Sequence, residues 1–228
     1  MATTTSLLGL TKPAVSEAAD ISVLNNNFDL IDAFIKGTGL GTTAKSIDSL
    51  DNATNFGIYS SNAGAPTSSY HWCLVLPYNE NYIVQIASHA STSPTVFATR
   101  RKQYTEGWQP WEYFNPVMNS GVEYRTTERS GGKAVYKKRI VYTSGNGTNP
   151  EIGTAGTVKT VNIPHGISGF GELVSMSAHM GTYALPVMDS SGYMTLANGV
   201  SSTNISLRTN GSWTGERTWT FDLAYTKA

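Results

Sequence analysis

The sequence predicts a mainly β protein made of small modules in series: a short N-terminal coiled-coil-like helix, a small antiparallel β domain, and a C-terminal β-sandwich or jelly-roll-like domain. Three observations predict it. Short runs rich in β-branched and aromatic residues recur along the chain, with Gly, Asn, Ser and Pro turns between them. A helical period is clear in one stretch near the N-terminus. Charged residues make up only 14% of 228 residues, well below the usual quarter, so Ser, Thr, Asn and Gly must cover the surface.

The first module spans 1–46. Residues 1–15 have no clear period, and Pro13 argues against a helix there. Ile21, Leu24, Phe28, Ile31 and Ile35 then follow a 3-4-3-4 spacing, the a/d repeat of a coiled-coil seam. The helix is expected over 20–36, with Asp20 as its N-cap and Gly37 just past its end. So short a helix is marginal alone, and its apolar stripe must meet something. Two readings stay open: a seam between copies of the chain, for which isoleucines at a positions suit a trimer as well as a dimer, or one helix lying on its own domain. A glycine-rich linker over 37–46 follows. It is a poor phosphate loop, because Lys45-Ser46 does not directly follow a glycine and the preceding segment is a helix, not a strand.

Residues 47–118 read as a small antiparallel β domain. Its strands are Phe56–Tyr59, Tyr70–Leu76 ended by Pro77, Tyr82–Ala87 and Val96–Arg100, before Trp108-Gln109-Pro110-Trp111. Residues 119–140 form two alternating strands about Ser130-Gly131-Gly132, a hairpin connector. Residues 141–228 hold the strand candidates Thr157–Ile163, Gly171–Ala178, Ala184–Asp189, Gly192–Leu196, Ile205–Thr209 and Thr218–Tyr225. Short strands at this density read as a sandwich or jelly roll.

Composition narrows the function. Formal net charge is zero, so no general basic field draws in nucleic acid. The runs Arg100-Arg101-Lys102 and Lys137-Lys138-Arg139 read as solvated faces. Cys73, the single cysteine, sits in the apolar run Trp72–Leu76 and reads as a core thiol; no internal disulfide or cysteine zinc site is possible. The N-terminus lacks a signal peptide's basic start and apolar core, and no run is apolar enough to span a membrane. Synthesis in a cytoplasm without membrane insertion is expected. The nucleophile elbow, the His-Glu-x-x-His zinc motif and the nucleotide-binding glycine fingerprint are all missing. His71, His89, His165 and His179 are not spaced as a local metal pair; His165 reads as a structural hydrogen-bonder, with an ion site on a threefold axis as the alternative. No catalytic residue, metal site or cofactor is expected. A carboxylate pair distant in sequence stays open.

Aromatic residues are more suggestive. Trp219 and Tyr225 alternate with Phe221 and Leu223 and are assigned to core. Trp213 lies in a loop between Gly211 and Gly215, where it either stacks on a sugar ring or interface partner, or packs within the turn. Tyr183 and Tyr193 border short strands with the same two readings. Turns supply Asp189 and Asn210 beside them.

Residues 47–114 resemble the pyocin-knob-like module of phage tail fibres. The resemblance is carried by Leu50-Asp51, Phe56–Tyr59, Asn62 before Pro66, Leu74-Val75, Gln85, Thr99-Arg100 and Trp108-Gln109-Pro110-Trp111. Thr11-Lys12-Pro13 with Asp20-Ile21 and Leu24–Asp32 resembles the N-terminus of many tail-fibre proteins. Gly121–Glu128 with Gly132–Tyr136 is similar to a segment preceding fibre tips, and Trp219–Lys227 to the last strand of such tips. The resemblance implies a bacteriophage or phage-derived fibre: a virion homotrimer that joins tail or baseplate proteins at its N-terminus. Its C-terminal domain would bind a bacterial cell-surface glycan or protein, with Tyr183, Asp189, Tyr193, Asn210 and Trp213 as candidate contacts. The His-x-His repeat that binds ions in some fibre shafts is missing. The rival readings are a structural baseplate component and, further off, a polysaccharide depolymerase, for which no β-helix repeat is seen.

Overall fold

The computed structural model describes residues 2–17, 20–41, 43–90, 96–149, 151–153, 156–188, 194–211 and 213–228. It divides into two compact units, Met1–Trp111 and Glu112–Ala228. Strands dominate both, and the fold is mainly β as expected.

The first unit opens with a ribbon of β1 (Thr3–Thr4) and β2 (Thr11–Lys12). Two-residue strands carry no period, which is why 1–15 read as featureless. Asn27 clamps the ribbon to the helix: its Oδ1 accepts from the Thr11 N–H at 2.8 Å and its Nδ2 donates to the Thr11 carbonyl at 3.0 Å.

Helix α1 runs Ile21–Gly37, with Asp20 as N-cap accepting from the Ser22 N–H at 2.8 Å. Its end departs from expectation. Gly37 stays helical; Thr38 is the C-cap and Gly39, at φ 71°, is the left-handed residue. The N–H groups of Gly39 and Leu40 donate to the carbonyls of Lys36 (3.2 Å) and Ile35 (3.3 Å), which is a Schellman motif. Packing decides the position. A Cβ on Gly39 would lie 2.1 Å from the Ile58 carbonyl oxygen, whereas Gly37 has open space around it. The Ile58 N–H also donates to the Thr38 carbonyl at 2.7 Å, so the helix stops where it meets a strand.

No residue of α1 is buried. Ile21 is 68% and Phe28 59% exposed, Leu24 and Ile35 are exposed, and Ile31 is half-buried. Leu30 and Phe34 are exposed as well, so the apolar surface is wider than the seam.

Strand β3 (Lys45–Ser46) lies parallel to β4 (Gly57–Ser61). β5 (His71–Pro77), β6 (Ile83–His89), β7 (Phe97–Gln103) and β8 (Gly107–Trp108) continue as an antiparallel meander. A 3-10 turn, Leu50–Asn52, crosses one face. Leu50, Ala53, Tyr59, Cys73, Val75, Ile83 and Ala87 are buried there, with Trp108 and Trp111 packed against them. Burial pushes the Cys73 thiol up to about 12, as suits a core thiol.

The second unit holds two sheets. The larger runs β9 (Glu112–Tyr113), β10 (Glu123–Ser130), β11 (Lys133–Ser144) and then, out of sequence, three later strands. Gly131 and Gly132, both at positive φ, make the tight turn of the β10–β11 hairpin. The sequence reads this hairpin as a connector; in the structure it is built into the sheet. The smaller, four-stranded sheet contains β12 (Lys159–Pro164). β13 (Phe170–Met180) and β14 (Tyr183–Ala184) return to the larger one. β15 (Val187–Met188), β16 (Met194–Val200) and β17 (Asn204–Thr209) complete the smaller sheet, and β18 (Arg217–Lys227) lies between β11 and β13. Ile163, Ile205 and Leu207 from one sheet meet Ile140, Ala178, Trp219, Phe221 and Tyr225 from the other in a shared core, a two-sheeted sandwich.

One expected strand, Ala184–Asp189, is split. Pro186 lacks a ladder donor, and a cis Leu185–Pro186 bond separates β14 from β15, which belong to different sheets. The expected strand Gly192–Leu196 is described from Met194 and extends to Val200; residues 192 and 193 lie outside the described residues.

Candidate functional site

Two constellations gather the residues that the sequence singles out. The first is in the first unit. Arg100 is buried, its guanidinium 4.4 Å from the ring centroids of both Trp108 and Trp111. Its Nε donates to Gln85 Oε1 at 2.8 Å, and Nη1 pairs with Asp51 at 2.7 Å. Gln85 in turn donates from Nε2 to the carbonyls of Leu50 (2.7 Å) and Ala53 (2.9 Å). Trp108 donates to the Asp51 carbonyl at 2.9 Å and Trp111 to that of Gly64 at 3.0 Å. Residues carrying the knob resemblance thus form one network that holds the 3-10 turn on the sheet, a structural role.

The expectation that both basic runs are solvated faces needs correction. Arg100 is sequestered in this network. Lys138 is buried and donates to the Gly166 carbonyl at 2.9 Å. Lys137 pairs with Glu128, and Arg139 makes a bidentate pair with Asp222, both bonds 2.7 Å. These cations serve their own fold.

The histidines also have structural places. His165, 2% exposed, accepts from the Ile167 N–H at Nδ1 (3.0 Å) and lies 3.1 Å from the Ser201 carbonyl at Nε2. His71 is fully buried, with Nδ1 2.8 Å from the Ser69 carbonyl. Burial pushes the His71 pKa down and the nearby His89 adds to this, against the bond to Ser69. The unfolded histidine therefore takes up its proton near pH 6.5 while folded His71 stays neutral to lower pH. Its contribution is fully present above about 6.5 and is lost as pH falls below that value. The first unit should have a lower urea midpoint at pH 5 than at pH 7.5, with His71→Asn flattening the difference. An identical pH slope in that variant would refute the assignment to His71.

The second constellation is a groove of about 850 Å³ in the second unit. Met180, Gly181, Thr182 and Tyr183 line one part, Val187 and Met188 another, and Trp213, Glu216, Arg217 and Thr218 the rest. Tyr183 is 58% exposed. Trp213 is half-buried: its N–H donates to the Ile152 carbonyl at 3.0 Å, its Nε1 donates to Thr195 Oγ1 at 2.7 Å, and its ring meets Trp219 edge-on at 5.8 Å. The groove therefore has one aromatic platform fixed by packing and one free to meet a ligand.

Of the candidate contacts, Tyr183 and Trp213 come together in the groove. Asn210 does not line it; its Oδ1 accepts from the Met194 N–H at 2.7 Å and fastens the turn. Asp189 and Tyr193 lie outside the described residues. Sequence reasoning missed Met180, Met188, Glu216 and Arg217. The signal for the last two was their place directly after the Trp213 loop; the methionines gave none, since only the β13–β14 turn brings Met180 there. Aromatic rings beside Thr, Glu and Arg side chains suit a saccharide, whose C–H faces stack on rings while its hydroxyls bond the polar groups. Among the described residues no group of three or more His, Cys, Asp or Glu is placed to hold a metal. No described helix is long and apolar enough to cross a membrane.

No protein-family model and no curated protein matches the chain. Among solved structures, the chain is similar to a C-terminal portion of the R1 pyocin fibre of P. aeruginosa, at 12% identity and a TM-score of 0.29, covering 83% of this chain and 69% of that one. An N-truncated R2-type pyocin tail fibre aligns at 12% identity and a TM-score of 0.26, covering 78% of this chain and 96% of that one. Both overlays are loose, and the functional reading rests on the chain's own residues.

Proposed function

We propose that the chain is a receptor-binding fibre of a phage or phage-derived tail, a non-enzymatic homotrimer. In this reading its N-terminal part joins tail or baseplate proteins. Its second unit binds a bacterial surface glycan in the Tyr183–Arg217 groove. The observation that carries the reading is the unburied apolar seam of α1. A helix of 17 residues with that much uncovered Ile, Leu and Phe is completed by copies of itself, as in a coiled coil. The residues that resemble fibre proteins set the context. Three grooves in one particle suit weak sugar binding, because linked sites raise avidity without new contacts. The described lining contributes one carboxylate, Glu216, where a glycosidase places two.

Light scattering on the purified chain tests assembly: a trimer is expected, and a monomer at working concentration overturns it. An array of bacterial surface polysaccharides tests recognition. Binding is expected, and Tyr183→Ala should weaken it about tenfold, the scale of one lost aromatic contact. Equal binding by Tyr183→Ala sinks the groove assignment, and no binding to any polysaccharide or host cell favours a structural tail component.

A further inference from the structure

The sheet of the first unit carries large apolar residues on both faces. Its inner face carries His71, Cys73 and Val75 on β5, Ile83, Gln85 and Ala87 on β6, and Ala98 and Arg100 on β7, under the layer of Leu50 and the two tryptophans. The opposite face holds Trp72, Leu74 and Leu76 on β5, Val84 and Ile86 on β6, and Phe97 on β7. Register makes them neighbours: Leu74 pairs with Ile58 and Ile86, Leu76 with Val84, and Ser88 joins Trp72 to Phe97. Tyr70 and Tyr82 extend the patch at the strand starts. Trp72 is 43% and Phe97 41% exposed, and Tyr70, Leu76, Tyr82 and Val84 are exposed too. A sheet with one wet face alternates apolar and polar residues; near-continuous apolar strands such as Trp72–Leu76 belong to sheets covered on both sides.

We infer that this outer face is packed against other copies of the chain, an inference that rests on the trimer proposed above. Charge and continuity with the stripe of α1 point to a second copy of the chain as the occupant. Arg101 is the one charged side chain among the described residues of β4 to β7 that alternation places on this face. The other polar side chains there, Ser60, Ser88, Thr99 and Gln103, are uncharged, and a largely apolar face with one charge fits the permanent interface of a homo-oligomer, which resembles a core cut in half. Its six exposed large side chains add to the exposed stripe of α1, and stable interfaces between copies are as a rule broad and apolar. The two surfaces belong to one compact unit and are joined at the Thr38–Ile58 hydrogen bond.

The test uses the full chain. Trp72→Ser, Leu76→Thr and Val84→Thr together keep β-compatible residues while removing the apolar face. Light scattering on dilution should show the wild-type trimer, and the triple variant should dissociate at a concentration about a hundredfold higher. Dissociation at the wild-type concentration overturns the inference while leaving the trimer intact; a wild-type chain that is always monomeric overturns the trimer itself. Should the triple variant fail to fold, Phe97→Cys serves, since the native thiol is buried. Maleimide should label Cys at that position at least tenfold faster in a monomeric Phe28→Asp background than in the trimer. Equal rates refute the interface.

Discussion

Arg100→Ala is expected to destabilise the first unit by about 3 kcal/mol, the scale of an orphaned buried acceptor together with a cavity. Three losses combine. Gln85 Oε1, fully buried, loses its donor, and an unsatisfied buried acceptor is costly. Trp108 and Trp111 lose the plane packed between them, leaving a cavity. Asp51 loses its partner, but its side chain is 53% exposed, so solvent screening keeps that share small. Arg100→Lys should recover little, because an ammonium cannot stack on two rings and fork to Gln85 and Asp51 together. Urea titration followed by tryptophan fluorescence reads this directly. A loss under about 1 kcal/mol would show the network to be incidental.

Gly39→Ala is expected to cost about 3 kcal/mol, from a left-handed backbone and overpacking together. Gly39 holds φ 71°, and an added Cβ would meet the Ile58 oxygen at 2.1 Å and the Lys45 nitrogen at 2.9 Å. Backbone lies on both sides, so no side chain can swing away. Gly37→Ala is the internal control. It is helical and faces open space, so alanine there should stabilise by about 0.5–1 kcal/mol. Circular dichroism with urea denaturation separates the two. Equal effects would mean that the helix end is not docked on β4.

These two residues show where the sequence was legible. Asp20 as N-cap, the strands of both units and the Gly131-Gly132 turn follow from local chemistry, and local chemistry is what a sequence displays. Gly37 and Gly39 carry the same local signal two residues apart, and only the Ile58 carbonyl chooses between them. Arg100 within Arg100-Arg101-Lys102 looked solvated because its covers, Trp108 and Trp111, arrive from another strand and the segment beyond it. Trp213 sat undecided between a free platform and a packed turn. The Thr195 hydroxyl that holds its indole comes from β16, 18 positions back. The groove depends on Pro186 dividing one expected strand between two sheets. Each miss is a non-local contact overriding a correct local reading.

The position of β18 bears on the order of events during synthesis. Arg217–Lys227 lies between β11 and β13, pairing Val135 with Thr226 and Met180 with Trp219. Both neighbours leave the ribosome earlier and must wait, each with an unpaired edge, until the strand that separates them is made. Contacts so distant along the chain form slowly, and a waiting edge invites pairing with another nascent chain. Lys137, Lys138 and Arg139 lie on the edge of β11 that waits. Lys137 already has Glu128 of β10 beside it, whereas Arg139 awaits Asp222 of β18, and until that strand arrives its unpaired charge disfavours pairing with a like strand.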